Sequence, residues 1–187
     1  MADGPDPRLP EWAEVSPLRL AHVEGVAALA EDWAARMRVP DAERGRWLRA
    51  VWLHDALRDA SPATLVRWAP DAWGPPELRH GPASAARAEA EGETDRGVLD
   101  AVRYHSLGYA GWDMVGRVLY CADFLEPGRA FGRERRAAVA GRFPEDAAGV
   151  LTAIAADRIT HLVGSGWPLP EITVRFWNSL VESSASR

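Results

Sequence analysis

The sequence predicts a single all-α domain. Apolar residues recur at helical spacing along most of the chain, no stretch alternates with period two, and serine-proline pairs punctuate the pattern as helix starts. A serine side chain can accept a hydrogen bond from the open N-H groups of a helix start, and proline fits the first helical position because its missing N-H is not needed there.

Residues 1–8 read as a loose tail and 9–15 as one short helix. Ser16-Pro17 opens the next helix, in which Val23, Val26, Ala30, Trp33 and Met37 lie on one face as far as Val39-Pro40. Asp41 is expected to cap a helix whose inner face carries Trp47, Val51 and His54, with Asp55 next to it. Ser61-Pro62 starts a short helix to about Trp68, followed by a turn-rich loop over 70–76. His80-Gly81-Pro82 opens an alanine-rich helix to Gly92, and Thr94 or Asp95 opens another ending near His105. After a loop over 106–111 comes a helix holding Val115, Val118, Leu119 and Asp123, closed by Pro127-Gly128. Residues 129–144 look mobile, a long helix follows from Pro144-Glu145 to about Val163, and a terminal helix begins near Pro170. There is no internal repeat and no linker composition, so residues 9–183 are expected to form one domain.

Composition narrows the function classes. The 187 residues are 47% apolar and 26% charged, as expected of a globular protein with a substantial core. A formal net charge of -5 argues against general nucleic-acid binding, where affinity comes from neutralising phosphates. Every fixed cation is an arginine, a side chain suited to bidentate recognition of phosphate or carboxylate. The single cysteine, Cys121, excludes an intramolecular disulfide framework and a thiolate cluster. No signal peptide or spanning segment is read, so the expected location is cytoplasmic, with no membrane partner.

Chemistry concentrates in six donors: His22, His54, Asp55, His80, His105 and Asp123. Burying ionisable groups costs several kcal/mol unless they are paired, and a metal is one such partner. His22 extends the stripe of Val26, Leu29 and Trp33, while His54 follows Trp47 and Val51. His105 follows Val98, and Asp123 follows Leu119 and Tyr120. Four helices therefore aim a donor into the core, as bundles with internal metal sites do. A histidine alone on an apolar face is more often a hydrogen-bonded core residue, and His161 keeps that reading because no second donor accompanies it.

The order of the donors carries a resemblance. Its segments are Leu20 to Val26, Leu53-His54-Asp55-Ala56-Leu57-Arg58-Asp59, His80-Gly81-Pro82-Ala83, Ala101 to His105 and Tyr120 to Arg129. Over residues 18–130 the sequence resembles the HD-domain metal-dependent phosphohydrolase superfamily, and within it the bacterial YqeK-like family of symmetrical diadenosine tetraphosphate hydrolases. The pair His54-Asp55 carries the superfamily likeness, and the segments at His80 and at Ala122 to Arg129 the family likeness. Two positions depart from the family pattern: Arg58 replaces a usual lysine, and Tyr109 stands where an arginine is common.

The resemblance implies an HD-type helical bundle with a metal site in its core. His22, His54, Asp55 and Asp123 would hold one ion, and Asp55 would bridge to a second held by His80 and His105. Imidazole and carboxylate donors suit iron first, with manganese or another divalent ion as alternatives. A hydroxide between the metals would be the nucleophile, so no serine or cysteine is required. Asp55, Arg58 and Asp59 are the implied catalytic group, Arg58 neutralising phosphoryl charge and Asp59 orienting Arg58 or a water. Gly81 at a helix start, Tyr109 and Trp112 as stacking surfaces, and Arg129 near a phosphate are the candidate substrate contacts. The expected activity is hydrolysis of diadenosine tetraphosphate to two ADP. Two alternatives stay open: an HD phosphohydrolase acting on a mononucleotide or guanosine-type alarmone, and an inactive metal-stabilised nucleotide-binding module. The expected partner is a small nucleotide, and a homodimer is compatible with the sequence.

Overall fold

In a computed structural model, which describes residues 9–72, 76–128 and 132–185, the chain is all-helical. The α-helices are α1 (Pro17–Arg36), α2 (Asp41–His54), α3 (Pro62–Trp68), α4 (His80–Ala90), α5 (Arg96–Tyr104), α6 (Met114–Leu125), α7 (Arg133–Arg142), α8 (Ala147–Gly164) and α9 (Glu171–Ala185). A 3₁₀ turn, Pro76–Leu78, precedes α4. No described helix is long and apolar enough to cross a membrane.

The starts follow from the capping residues. Ser16 accepts from the Arg19 N-H, Ser61 from Thr64, Asp95 from Gly97 and Val98, and Asp113 from Val115. Each such cap contributes about 1 kcal/mol. Asp41 is not a cap: it is the first helical residue of α2 after Pro40, where its charge favours the helix dipole.

Helices α1, α2, α5 and α6 pack on one another around Val23, Val26, Val51, Val98, Val102, Val115 and Leu119, all fully enclosed. Helix α4 lies on α5, α3 covers α4, and α7 and α8 close the other side of α6, with α9 on α8. Full burial of each large apolar side chain contributes roughly 1.5–3 kcal/mol. Cys121 is a buried core thiol, as its neighbours predicted.

Two further expectations are corrected. The segment 9–15 forms only a turn at Glu11–Trp12, because its backbone bonds outward: Glu14 N-H donates to Ala56 and Asp59 N-H donates to Glu14. The segment expected to be mobile contains α7, although residues 129–131 lie outside the described residues. Its run of charges hides an anchor, since Phe143 stacks on Trp33 with ring centroids 3.9 Å apart and the Trp33 indole N-H donates to the Ala140 carbonyl at 3.0 Å. Helix α2 ends at His54, and Asp55 is its non-helical C-cap with φ -110° and ψ 13°. The expected loose tail, 1–8, falls outside the described residues.

Candidate metal centre

Six side chains converge where α1, α2, α4, α5 and α6 meet. Five of them are buried, from His54 at 0% to Asp123 at 7% exposure, and His22 is nearly so. They form two triads, His22–His54–Asp123 and Asp55–His80–His105, with the donor atoms of each within 4.8 Å of one another. Asp55 faces both. Its Oδ1 lies 3.1 Å from His80 Nε2 and 3.8 Å from His105 Nε2, and its Oδ2 lies 3.5 Å from His54 Nε2 and 3.9 Å from His22 Nε2. Leaving the helix at His54 turns the Asp55 carboxylate between the two groups.

The ring tautomers follow from the local backbone. His54, His80 and His105 each place Nδ1 within 2.6–2.7 Å of the carbonyl three residues earlier, at Val51, Glu77 and Val102. A carbonyl only accepts, so Nδ1 carries the hydrogen and each neutral ring turns an Nε2 lone pair to the centre. His80 Nε2 and His105 Nε2 meet at 3.0 Å, and His54 Nε2 is buried without a hydrogen-bond partner. Facing lone pairs beside a carboxylate repel unless a cation stands among them. This donor set therefore fits one or two divalent ions, and its nitrogen and oxygen character suits iron, manganese and related metals rather than thiophilic ones.

Electrostatics agree with that chemistry. Burial opposes ionisation of Asp55, but positive charge beside it, carried by His54, His80 and His105 when they are protonated, outweighs burial and holds the carboxyl below the usual carboxylate range. Burial and the neighbouring His80 and His54 push His105 down to about 3, so the ring is neutral at neutral pH, the form a metal ligand needs. Burial lowers the pKa of His22, but hydrogen bonds to Asp123 and Glu126 and the Asp55 charge raise it overall.

Three residues at this centre had no assigned role in the sequence reading. Arg19, one helical turn before His22, binds Asp55 Oδ2 at 2.9 Å. Glu126 places Oε2 3.2 Å from His22 Nδ1, so His22 turns Nε2 to Asp123 Oδ1 at 3.1 Å. Arg158 on α8 donates to Asp123 Oδ2 at 3.0 Å and lies over the Tyr120 ring at 4.4 Å. Its signal was present: an arginine one turn after Ile154 continues the buried stripe of its helix.

Above the triads is a cavity of about 530 Å³, walled by Arg19, Arg58, Ser106, Phe124 and Arg158, with His161 at its exposed mouth. Arg58 thus faces the cavity as expected. Asp59 does not: it is exposed and its Oδ2 accepts from the Ser16 N-H at 2.8 Å. Burial would raise the Asp59 pKa, but that bond and the nearby Arg19 and Arg58 lower it. It anchors the start of α1.

The expected substrate contacts are largely elsewhere. Gly81 is pressed on α5, where a Cβ would come within 2.9 Å of the Val102 carbonyl, so its small size serves helix packing. Trp112 is buried, donates to the Asp100 carbonyl at 3.1 Å and packs on Tyr120 and Phe176. Tyr109 lies on Tyr104 with centroids 4.7 Å apart. The cause is α9: Phe176 seats on Gly108, whose φ of +86° suits glycine, and closes the 106–111 loop inward. Arg129 is outside the described residues.

Comparison with known proteins agrees with this architecture. The chain is 39% identical over 75 residues to the symmetrical bis(5′-nucleosyl)-tetraphosphatase of Bacillus subtilis, a match covering 40% of this chain and 37% of that protein. It is 30% identical over 107 residues to the protein of the same name from Halalkalibacterium halodurans, covering 56% of each. The matched regions thus span at most about half the length of these relatives. A crystal structure described as a predicted HD superfamily hydrolase involved in NAD metabolism, from Clostridium acetobutylicum, superposes with a TM-score of 0.77 over 90% of this chain and 92% of that one, at 23% identity, which shows a shared fold. The family model for the HD domain matches residues 19–136, the stretch that carries all six donors, and the chain belongs to the HD domain family.

Proposed function

We propose that this protein is a metal-dependent phosphohydrolase that cleaves diadenosine tetraphosphate symmetrically into two ADP. The observation that carries the reading is the pair of triads with Asp55, a member of one, facing the other as well, beneath an arginine-walled cavity. The names of the relatives from Bacillus subtilis and Halalkalibacterium halodurans supply the substrate.

In this reading His22, His54 and Asp123 would hold one divalent ion and His80 and His105 a second, with Asp55 placed to contribute to both. Iron is the first choice for these donors, and manganese an alternative. Ions held there supply Lewis acidity toward a phosphoryl oxygen and make a water nucleophilic at neutral pH. The chain's own residues do the rest. Asp55, kept ionised by its neighbours, balances the metal charge, and Glu126 holds His22 in the ligating tautomer. Arg58 neutralises charge that grows on the phosphoryl oxygens during attack. Water adds to one inner phosphorus, the bond to the central bridging oxygen breaks, and each half leaves as ADP.

Brief incubation of metal-loaded protein with diadenosine tetraphosphate, followed by chromatography, tests the proposal. ADP alone is the expected product. ATP plus AMP would overturn symmetrical cleavage, and no turnover beside rapid hydrolysis of a mononucleotide or guanosine alarmone would replace the substrate.

A further inference from the structure

The cavity continues past the histidine cluster. Beyond Ser106 and Phe124 it opens into a second lobe of about 410 Å³ along α8. Arg158 and His161 wall both lobes, and Arg136, Asp157 and Leu162 line only the second of the two. Neither triad draws a donor from it.

The neck between the lobes is cationic and built. Arg158 is fixed by Asp123 and the Ser106 carbonyl and stacked on Tyr120, with its Nε buried and without a hydrogen-bond partner. His161 stands beside it on the same helix, within one turn. The acid in the second lobe, Asp157, is ion-paired to Arg135 at 3.0 Å, so its charge is compensated. Phe124 and Leu162 give the lobe an apolar side. A cationic neck leading to a partly apolar chamber matches a phosphate followed by a nucleoside. Each lobe also falls within the roughly 300–1,000 Å³ of small-molecule sites.

We infer that the α8 lobe binds a nucleoside 5′-phosphate moiety, the half of a dinucleoside polyphosphate that extends away from the two triads; this assignment rests on the function proposed above. The phosphate lies at Arg158 and His161, and the nucleoside against Phe124 and Leu162. The lobe thereby favours substrates with a nucleoside at both ends over mononucleotides.

Leu162→Trp fills the lobe without touching the metal cavity, and Val163→Trp, at an exposed neighbour on the same helix, is the control. In the metal-loaded protein, Leu162→Trp should raise KM for diadenosine tetraphosphate about tenfold or more while kcat stays within about threefold. Val163→Trp should leave both unchanged, and metal content should be the same in all three proteins. Calorimetric binding of a non-hydrolysable diadenosine tetraphosphate analogue should weaken in parallel, and Leu162→Phe gives a smaller shift in the same direction should the tryptophan variant not fold. Wild-type turnover with an unchanged KM in the folded Leu162 variants would overturn the lobe and leave the proposed function standing. Analogue binding weakened by Leu162→Trp in a wild type that does not cleave the tetraphosphate would overturn the function and leave the lobe. A wild type that neither cleaves nor binds would overturn both.

Discussion

Glu126 Oε2 lies 3.2 Å from Nδ1 of His22, a contact that spans the chain from the first helix to the residue just past α6. Its other oxygen accepts from the Gly128 N-H at 2.5 Å. Gly25 makes room for the carboxylate, since a Cβ there would fall 2.5 Å from Glu126 Oε1. The carboxylate therefore sets the orientation of a candidate metal ligand, His22, through its Nδ1. Glu126→Ala should weaken metal binding by about 10–100-fold, with Glu126→Gln retaining part of it. Gly25→Ala should act in the same direction by displacing the carboxylate. Competition against a chromogenic chelator measures all three, and wild-type affinity in Glu126→Ala would remove this role.

His80 and His105, with Nε2 atoms 3.0 Å apart, should bind metal together. Protein purified without chelators should hold up to two transition-metal ions per chain by elemental analysis. His80→Ala or His105→Ala should lose about one of them. Protein that takes up no ion when iron or manganese is supplied would end the metal assignment.

Asp55 touches both triads, so its removal should cost more than that of any single histidine. Asp55→Ala should abolish turnover and release at least one ion. Asp55→Asn keeps the shape and should preserve the fold while impairing the shared site. Turnover at the wild-type rate in Asp55→Ala would exclude a bridging role.

Arg58 faces the cavity and is not among the donors. Arg58→Ala should lower kcat by roughly 10²–10³ with metal content unchanged. Arg58→Lys should recover part of the loss, since it restores charge without the planar fork. A change confined to thermal stability would make Arg58 a structural residue.

The acid limb of stability should depend on Asp95. Its carboxylate binds Arg46 Nε at 2.6 Å and caps α5, and the Arg46 hydrogen bond holds its pKa down at about 2. A depressed carboxylate pKa gives stability that is present above the unfolded value near 3.9 and is lost as pH falls through about 2. For a partly exposed group this is worth roughly 1 kcal/mol after solvent screening. Asp95→Ala should therefore be less stable at pH 7 by about 1–3 kcal/mol, cap included. The gap to wild type should narrow as acid titrates the pair, as denaturant melts between pH 7 and 2 would show.

The sequence by itself determined the helical class, most helix starts and the six donors. Those features are local: Ser16, Ser61 and Asp95 act within a few residues of themselves, and His22, His54, His105 and Asp123 each extend an apolar stripe already visible in one helix. Only the tertiary structure decided what joins those helices. Residues 129–144 read as mobile because the Trp33–Phe143 stack beside α7 links residues far apart in sequence. Trp112 and Tyr109 read as stacking surfaces for a base because nothing local shows that Phe176 seats on Gly108 and Trp112 or that Tyr109 lies on Tyr104. Arg19, Glu126 and Arg158 acquire roles only through Asp55, His22 and Asp123, their partners on other elements. A cap or a stripe is specified by neighbours along the chain. A hydrogen bond across helices is specified by packing, and packing is a property of the whole fold.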